Sequence, residues 1–408
     1  MLSTGERAIQ ASVRPGYADT ASLRANTNDY NLVLFDRLSP SHKHALNDLQ
    51  GNPEFFGVLI PRGSHGLGIK SVTRDVALLY YTLQEPGLLP GYVRTLFGET
   101  CERIVAELIL DSVLEIEWNG TFVSGAAAYR LLYGKEVSYS ADSKLSRLST
   151  DALKYAQELE MTEVSRLSAR MYFYNRQPIS PYWKRVFPSD VAVAEYLGIE
   201  PGGANKPLLD RTWSRVPLVP PRDGWFMWSI NQTASQPSEE EPARIYKLYI
   251  SPIVDHVRDV FTLSLETLSR LKVITFKVGN DVFGLLRPDK IIAYFATYED
   301  LMEAAGHLQT ELKGYTAHGV PFSAEIGLDG LLSWGMDPPR REQGLGWQER
   351  ESWRLWVTNR LAAALVSAKA NESRTLEPWQ FAIERLRLEG VDTNSWIPAT
   401  NLWEELER

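Results

Sequence analysis

The sequence is poor in the residues that disulfides and metal sites need. Its 408 residues include one cysteine, Cys101, and six histidines. A single thiol excludes an intramolecular disulfide framework and a cysteine zinc site. The histidines, at positions 42, 44, 65, 256, 307 and 318, show no HExxH or similar metal-ligand spacing. We therefore expect no metal and no cofactor, and we expect Cys101 to be a packed thiol of the amphipathic helix "ETCERIVAELIL".

The sequence also lacks an excess of basic residues and any long apolar run. Its net charge is −8, whereas a general nucleic-acid binder needs a basic face. The longest apolar runs, "VALLYYTL" and "LAAALV", are much shorter than a membrane span. The first residues, "MLSTGERAIQASVRPG", contain no apolar segment of a secretory signal. These features predict a cytoplasmic protein that binds neither nucleic acid nor membrane.

Common nucleotide-binding and hydrolase motifs are missing as well. No GxSxG elbow occurs, and "GSHGLG" at 63–68 fits neither the P-loop nor the dinucleotide fingerprint. A turn is the better interpretation of that segment. The sequence therefore gives no support for a nucleotide hydrolase or a serine hydrolase.

The composition, with 44% hydrophobic residues, is sufficient for a large core. We expect residues 1–200 to form a mainly helical region, with peptide binding as one role, and a hairpin that turns at Asn119-Gly120. Residues 201–242 contain seven prolines and end in "NQTASQPSEEEP", which predicts a Pro-rich loop or linker. Residues 243–408 are expected to form a domain with a mixed or antiparallel sheet flanked by helices. The predicted fold class is α+β.

One predicted strand, "RIYKLYIS" at 244–251, alternates with a period of two. Its apolar side chains share one face, and the other face carries an amine, a phenol and a hydroxyl, from Lys247, Tyr249 and Ser251. Since Ser251 lies at the strand's end, we expect it to cap the next helix or to form a turn.

Further cations occur in apolar segments that follow this strand. Lys277 lies in "VITFKVG", and Arg287, Lys290 and Tyr294 lie in "LRPDKIIAYF". Such cations either extend to solvent from an edge strand or face a pocket. "RMYFYN" at 170–175 repeats the cation-x-tyrosine pattern, but no "FKV" follows it at the same spacing. We expect that segment to be a packing strand or an aromatic patch that contacts the substrate.

Taken together, these segments resemble the phosphothreonine lyases among bacterial type III effectors and the related HopA effector family. The shared pattern is a strand with a cation two residues before a proton donor, a helix, "FKV", and an arginine just before a "YF" strand. It covers about residues 244–365. Relatives of the HopA family serve in class V lanthipeptide and thioamitide pathways. There they eliminate phosphate from phosphoserine or phosphothreonine after a separate kinase has acted.

The resemblance implies a role for each matching residue. It makes Lys277 the general base and Tyr249 the acid, at a position where the phosphothreonine lyases have a histidine. The substrate phosphate is then bound by cations and a phenol around the strands, namely Lys247, Arg287, Lys290, Tyr294 and, in "ESWR", Arg354. His318 of "AHGVPF" is either an alternative acid or a structural loop histidine. The implied partners are a phosphorylated leader–core precursor peptide, a separate Ser/Thr kinase-like protein and a cyclase.

The chemistry explains why such residues are needed. β-Elimination removes a weakly acidic α-proton and expels phosphate from the β-carbon, so the base has to be a neutral amine. Free lysine is protonated near pH 7, but burial and neighbouring cations disfavour the ammonium form. The same cations attract a phosphate that carries a charge of about −1.5 to −2.

Three other functions fit parts of the pattern. A cyclase that adds cysteine thiols to dehydroamino acids protonates the same kind of enolate. A barrel prenyltransferase holds a diphosphate with lysines and tyrosines, but it needs about ten similar strands. A non-catalytic peptide-binding module would tolerate the loss of Lys277.

Overall fold

The computed structural model describes residues 13–63, 67–134, 139–218, 224–231, 244–327, 329–338, 351–370, 376–399 and 402. Helix accounts for 47% and strand for 20%, and antiparallel sheets combine with helices, which confirms the α+β class. No helix in these ranges is long and apolar enough to cross a bilayer.

The N-terminal region is helical with two small sheets. Its first elements are α1 (Tyr17–Thr20), β1 (Leu23–Ala25), β2 (Tyr30–Leu34), α2 (Pro40–Ala45), β3 (Phe55–Pro61), β4 (Lys70–Thr73), α3 (Arg74–Thr82) and α4 (Gly91–Phe97). There follow α5 (Cys101–Leu110), β5 (Leu114–Trp118), β6 (Thr121–Val123), α6 (Gly125–Tyr133), α7 (Lys144–Glu158), α8 (Val164–Tyr172), α9 (Pro181–Val186) and α10 (Asp190–Tyr196). The two sheets have the orders β1-β5-β6 and β2-β3-β4.

The predicted hairpin and the packed thiol are confirmed. β5 and β6 pair antiparallel, and the turn between them has positive φ at both Asn119 (50°) and Gly120 (78°). Asparagine and glycine tolerate that conformation, which is the reason for their preference in two-residue hairpin turns. Cys101 begins α5 and is 2% exposed.

A seven-stranded antiparallel sheet organises the rest of the chain. Its elements and neighbours are α11 (Lys206–Thr212), β7 (Trp213–Arg215), β8 (Trp225–Ile230), β9 (Ile245–Ile250), α12 (Val257–Leu268), β10 (Thr275–Gly279), α13 (Val282–Leu285), β11 (Ile291–Phe295) and α14 (Tyr298–Glu311). The remaining ones are β12 (Ala324–Ile326), β13 (Leu332–Asp337), α15 (Trp353–Ala370), α16 (Pro378–Leu388), β14 (Val391–Asp392) and β15 (Ile397–Pro398). The strand order is β12-β13-β9-β11-β10-β8-β7, so this sheet is open and not a barrel.

The two faces of this sheet differ in polarity. A cross-strand row of buried side chains, Trp334, Leu248, Ala293, Phe276 and Trp228, lines one face, which packs against α12 and α14. Because side chains alternate along a strand, the lysines and tyrosines between them project from the other face. Helices α8 and α15 pack against each other, and α15 also contacts β13.

The predicted linker at 201–242 is partly wrong. Strands β7 and β8 belong to the central sheet and lie before residue 243, so the sheet begins inside that stretch. Its described prolines border elements and do not interrupt them: Pro207 is in the first turn of α11, and Pro217 follows β7. Residues 219–223 and 232–243, with most of the segment "NQTASQPSEEEP", lie outside the described residues.

Two local predictions are also wrong. "RMYFYN" is not a strand, because residues 170–172 complete α8, in which Leu167 and Met171 are buried four residues apart on one helix face. Ser251 does not cap the next helix. Its hydroxyl donates to Pro288 O (2.5 Å) and accepts from Gly319 N (3.1 Å), so it joins three loops.

Gly335 on β13 supplies a test of how closely α15 packs on the polar face. A Cβ at this position would lie 2.2 Å from Cδ1 of Trp353, a fully buried side chain. We expect Gly335→Ala to lower the free energy of unfolding by about 1–3 kcal/mol through overpacking. Gly306→Ala, at an open position in α14, should raise it by about 0.5–1 kcal/mol. Urea unfolding measures both, and an unchanged midpoint for Gly335→Ala would contradict this packing.

Candidate active site

We define the pocket as the region of the sheet's polar face around Ile292, which lies between two of the candidate residues. In the strand register, Ile292 pairs with Tyr249 on one side and with Lys277 on the other. Ile292 is 4% exposed and forms, with Tyr249 and Val320, a small apolar cluster separate from the main core. Lys277 and Tyr249 therefore stand two strands apart, roughly 10 Å between backbones, on either side of Ile292.

Lys277 is enclosed by aromatic rings and pairs with no counter-ion in the part of the chain that the structure describes. Its Nζ lies 4.3 Å from the centre of the Trp225 ring and 5.6 Å from that of Tyr294. It makes no hydrogen bond or ion pair with any described residue. Burial, and then the charges of Lys247 and Arg287, lower the pKa of Lys277 to about 7 against the opposing effect of two buried carboxylates. A substantial fraction of this amine is neutral at physiological pH.

Lys247 is on β9, two strands from Lys277, and is paired with a carboxylate. Its Nζ lies 2.6 Å from Oδ2 of Asp337, and both side chains are almost fully buried. The other oxygen of Asp337 accepts from Trp353 N at 2.9 Å. The ammonium also lies 5.3 Å from the centre of the Tyr294 ring, so this ring separates the two lysines. Lys247 is thus a charged group with a fixed position, while Lys277 is not fixed by a carboxylate.

Arg287 borders the pocket on the side of Trp225. Its Nε and Nη2 each donate to one oxygen of Asp289 at 2.8 Å, and Nη2 also donates to the Tyr172 hydroxyl (3.2 Å). The guanidinium stacks on the rings of Trp225 (4.9 Å) and Phe173 (5.6 Å). Its side chain is 18% exposed, so part of the charge is open to a ligand.

Arg354 lies behind Arg287 and is fully enclosed. Its Nε donates to Pro321 O (3.0 Å), its Nη2 donates to Tyr172 O (2.6 Å), and its Nη1 lies 2.9 Å from Oδ2 of Asp289. Burial alone would raise the pKa of Asp289, but Arg287 and Arg354 hold it well below its usual range. Arg354 at 1% exposure therefore positions Asp289 and does not reach the pocket.

Tyr249 offers a phenol to the pocket from the opposite side. It is 2% exposed, and its hydroxyl makes no hydrogen bond with a described residue. Burial, and then the charge of Asp337, raise the pKa of this phenol well above 10. The hydroxyl stays protonated and is available as a hydrogen-bond donor.

Lys290 and His318 form a buried pair at the end of β11. Lys290 Nζ donates to Pro252 O (2.6 Å) and lies 2.8 Å from His318 Nδ1. His318 Nε2 donates to Asn175 O (2.5 Å), so its Nδ1 has to accept from the lysine. Burial, and then Lys290, lower the pKa of His318 to about 4. A neutral imidazole with both nitrogens occupied joins loops here and has no proton to donate to a substrate.

The structure brings together Lys277, Tyr249, Lys247, Tyr294 and Arg287, and it sets Lys290, Arg354 and His318 outside the pocket. The sequence analysis assigned no site role to four residues that shape the site: Trp225, Asp289, Asp337 and Tyr172. Two of them carried a signal: Asp289 is an acid between two predicted site cations in "RPDK", and Tyr172 belongs to the cation-x-tyrosine pattern of "RMYFYN".

No protein-family model and no curated protein matches the chain. An effector protein from Pseudomonas syringae pv. syringae strain 61 aligns over 64% of this chain and 99% of its own, at 14% identity and a TM-score of 0.39. An effector from Pseudomonas syringae pv. tomato strain DC3000 aligns over 64% of this chain and 98% of its own, at 12% identity and a TM-score of 0.34. The structure of a phosphothreonine lyase aligns over 51% of this chain and 98% of its own, at 16% identity and a TM-score of 0.27. These similarities are distant, so the chemistry has to be argued from the side chains.

The lowered pKa of Lys277 can be measured without a substrate. An amine-acylating reagent attacks only the neutral amine. Labelling of Lys277 should therefore rise through about pH 7, whereas labelling of an ordinary lysine rises at about pH 10. Lys272, whose side chain is 85% exposed, serves as the ordinary lysine in the same digest. Lys247→Met should move the Lys277 curve to higher pH, because it removes a neighbouring cation and leaves Asp337 unpaired. Equal curves for Lys277 and Lys272 by mass spectrometry would contradict the assignment.

Proposed function

We propose that this pocket is the active site of a lyase that eliminates phosphate from phosphoserine or phosphothreonine in a peptide. One observation carries the proposal: Lys277, with a pKa of about 7 and no counter-ion among the described residues, lies between two cations, Lys247 and Arg287. A pocket that only bound a phosphopeptide would gain from a charged amine. A lowered pKa is what a general base needs.

In this mechanism Lys277 Nζ takes the α-proton of the phosphorylated residue. The electron pair of the Cα–H bond forms the Cα–Cβ double bond, the Cβ–O bond breaks, and phosphate leaves with that bonding pair. The products are a dehydroamino acid in the peptide and free phosphate. Lys247, held by Asp337, stabilises the negative charge that develops on the adjacent carbonyl oxygen.

Phosphate departure requires a proton or a strong hydrogen bond at the oxygen that leaves Cβ. Because the second pKa of a phosphate monoester is about 6, the bound monoester is largely a dianion near neutral pH, and without that proton it would have to leave as a trianion. Arg287 contributes charge from one side, and the protonated phenol of Tyr249 donates a hydrogen bond or a proton from the other. Arg354 and Lys290, expected as phosphate ligands, are assigned to positioning, because Nε and Nη2 of Arg354 and Nζ of Lys290 donate to protein atoms and Nη1 of Arg354 lies against Asp289.

The resemblance in sequence pattern supports a more specific form of the proposal. The substrate is then a leader–core precursor peptide of a lanthipeptide-type pathway, phosphorylated by a separate Ser/Thr kinase-like protein, and the dehydrated product passes to a cyclase. The reaction would take place in the cytoplasm. Among the alternatives, the two cations beside Lys277 favour the lyase over the cyclase, since a thiol addition has no phosphate to bind.

Incubation of the protein with a phosphothreonine peptide tests whether Lys277 is the general base. Lys277→Ala should retain the fold and lower the elimination rate by about 10²–10⁴, the usual effect of losing a general base. The matched control is Lys272→Ala, which removes an exposed lysine and should leave the rate unchanged. Phosphate release and a product lighter by one phosphoric acid report the reaction. Near wild-type release by Lys277→Ala would exclude the assignment.

The pH dependence of the elimination rate tests whether Tyr249 or His318 is the acid. Since the neutral amine is the reactive form, the wild-type rate should rise with pH through about 7. Tyr249→Phe keeps the ring and removes the hydroxyl, so it should slow elimination about tenfold or more with the same rising limb. His318→Gln should remove no limb from the pH–rate profile, because the pKa of His318 is about 4. A normal rate for Tyr249→Phe together with a slow His318→Gln would assign the acid to the histidine.

A further inference from the structure

Cations and aromatic rings alternate across the pocket and continue to the surface. In order, this cation–aromatic row consists of Lys247, Tyr294, Lys277, Trp225, Arg287, Phe173, Arg176 and Phe283. It begins at a nearly buried lysine and ends at rings that are 42% (Phe173) and 51% (Phe283) exposed. The last cation, Arg176, lies at the mouth of the site and has no part in the chemistry described so far.

Arg176 shares a ring with Arg287. The two guanidinium carbons lie 5.7 and 5.6 Å from the centre of the Phe173 ring. The side chain of Arg176 also lies over Phe283 at 5.0 Å. Burial, and then the charge of Arg287, lower the pKa of Arg176. The two guanidiniums are thus close enough for the charge of Arg287 to act on Arg176, and their repulsion is relieved when an anion binds near both of them.

The guanidinium of Arg176 has no acceptor among the described residues. It forms no hydrogen bond or ion pair with them, and its Nη2 is enclosed without a partner. Asp281 is near enough to oppose the lowering of its pKa, but the Asp281 carboxylate accepts from Gly284 N as the cap of α13. Enclosed donors are normally paired, so the lack of a partner points to a ligand.

Arg287 cannot bind a phosphate dianion through its usual fork. Its Nε and Nη2 are committed to Asp289, and Asp289 also balances part of the positive charge. Lys247 is neutralised in the same manner by Asp337. A phosphate offers three terminal oxygens and prefers paired guanidinium donors. The site as described so far lacks an unengaged fork, and Arg176 has one.

We propose that Arg176 is a phosphate ligand of this site and that it binds the phosphate together with Arg287. The inference rests on the proposed function, since it takes the phosphate to be that of the phosphorylated substrate residue. Among the described residues, the guanidinium of Arg176 contacts the rings of Phe173 and Phe283, which accept no conventional hydrogen bond from its N–H groups. Stacking and anion binding therefore use different parts of the same group.

Binding and turnover are measured separately. Binding is measured in a Lys277→Ala background, which does not turn substrate over, with a phosphothreonine peptide and its unphosphorylated form. In this background Arg176→Met should weaken binding of the phosphopeptide roughly 10- to 100-fold and leave the unphosphorylated peptide unchanged. Arg176→Lys keeps the charge without the fork and should recover only part of the loss. With Lys277 present, Arg176→Met should lower kcat/KM for the phosphopeptide by a similar factor.

The control is Arg170→Met, at an exposed position six residues earlier on α8, which should bind the phosphopeptide as the parent does. Thermal unfolding shows whether Arg176→Met retains its fold, and Arg176→Lys decides the question if it does not. Phosphopeptide affinity that is equal in parent, Arg176→Met and Arg176→Lys overturns the inference while leaving the lyase intact. Arg176-dependent binding without elimination by the wild type supports the inference and overturns the lyase. Absence of phosphopeptide binding overturns both.

Discussion

A single buried carboxylate, Asp289, joins the elements that enclose the pocket. It lies in the turn before β11, accepts two hydrogen bonds from Arg287, lies 2.9 Å from Nη1 of Arg354 on α15, and contacts the Tyr172 hydroxyl at the end of α8. Removing one member of such a network leaves buried charges uncompensated, which is costly. The helices on the polar face are therefore fixed relative to the strands through the same residue that orients Arg287.

Lys277 differs from the neighbouring cations Lys247 and Arg287 in that neither of the two buried carboxylates pairs with it. Asp337 pairs with Lys247, and Asp289 pairs with Arg287 and Arg354. Both carboxylates pair with other cations and not with Lys277, whose pKa is lowered first by burial and then by the charge of Lys247, against the opposing charges of Asp289 and Asp337. Replacing either acid would change the pKa of a base that it does not touch. The reactivity of the lysine is thus a property of the whole cluster.

The strands and the sharing of one face by Lys247 and Tyr249 could be predicted from the alternation in "RIYKLYIS", because that alternation follows directly from backbone geometry. "WFMWSI", in contrast, is apolar at almost every position and has no such alternation, so β8 was hidden in a proline-rich stretch. With it Trp225 was missed. Asp337 could not have been found either, and "RMYFYN" drew attention to Tyr172 without revealing its contacts, because both roles depend on packing between segments far apart in sequence.

The same logic explains the residues whose expected roles changed. Arg354 and Lys290 are cations in apolar segments, as Lys277 is, and the sequence alone does not distinguish them. The difference is in the acceptors that the fold supplies: backbone carbonyls and Asp289 for Arg354, a carbonyl and an imidazole for Lys290, and aromatic rings alone for Lys277. A ring stabilises a cation only weakly and accepts no conventional hydrogen bond. A pocket built of rings therefore encloses cations while leaving their donors for a ligand, and this is the property that a phosphate site requires.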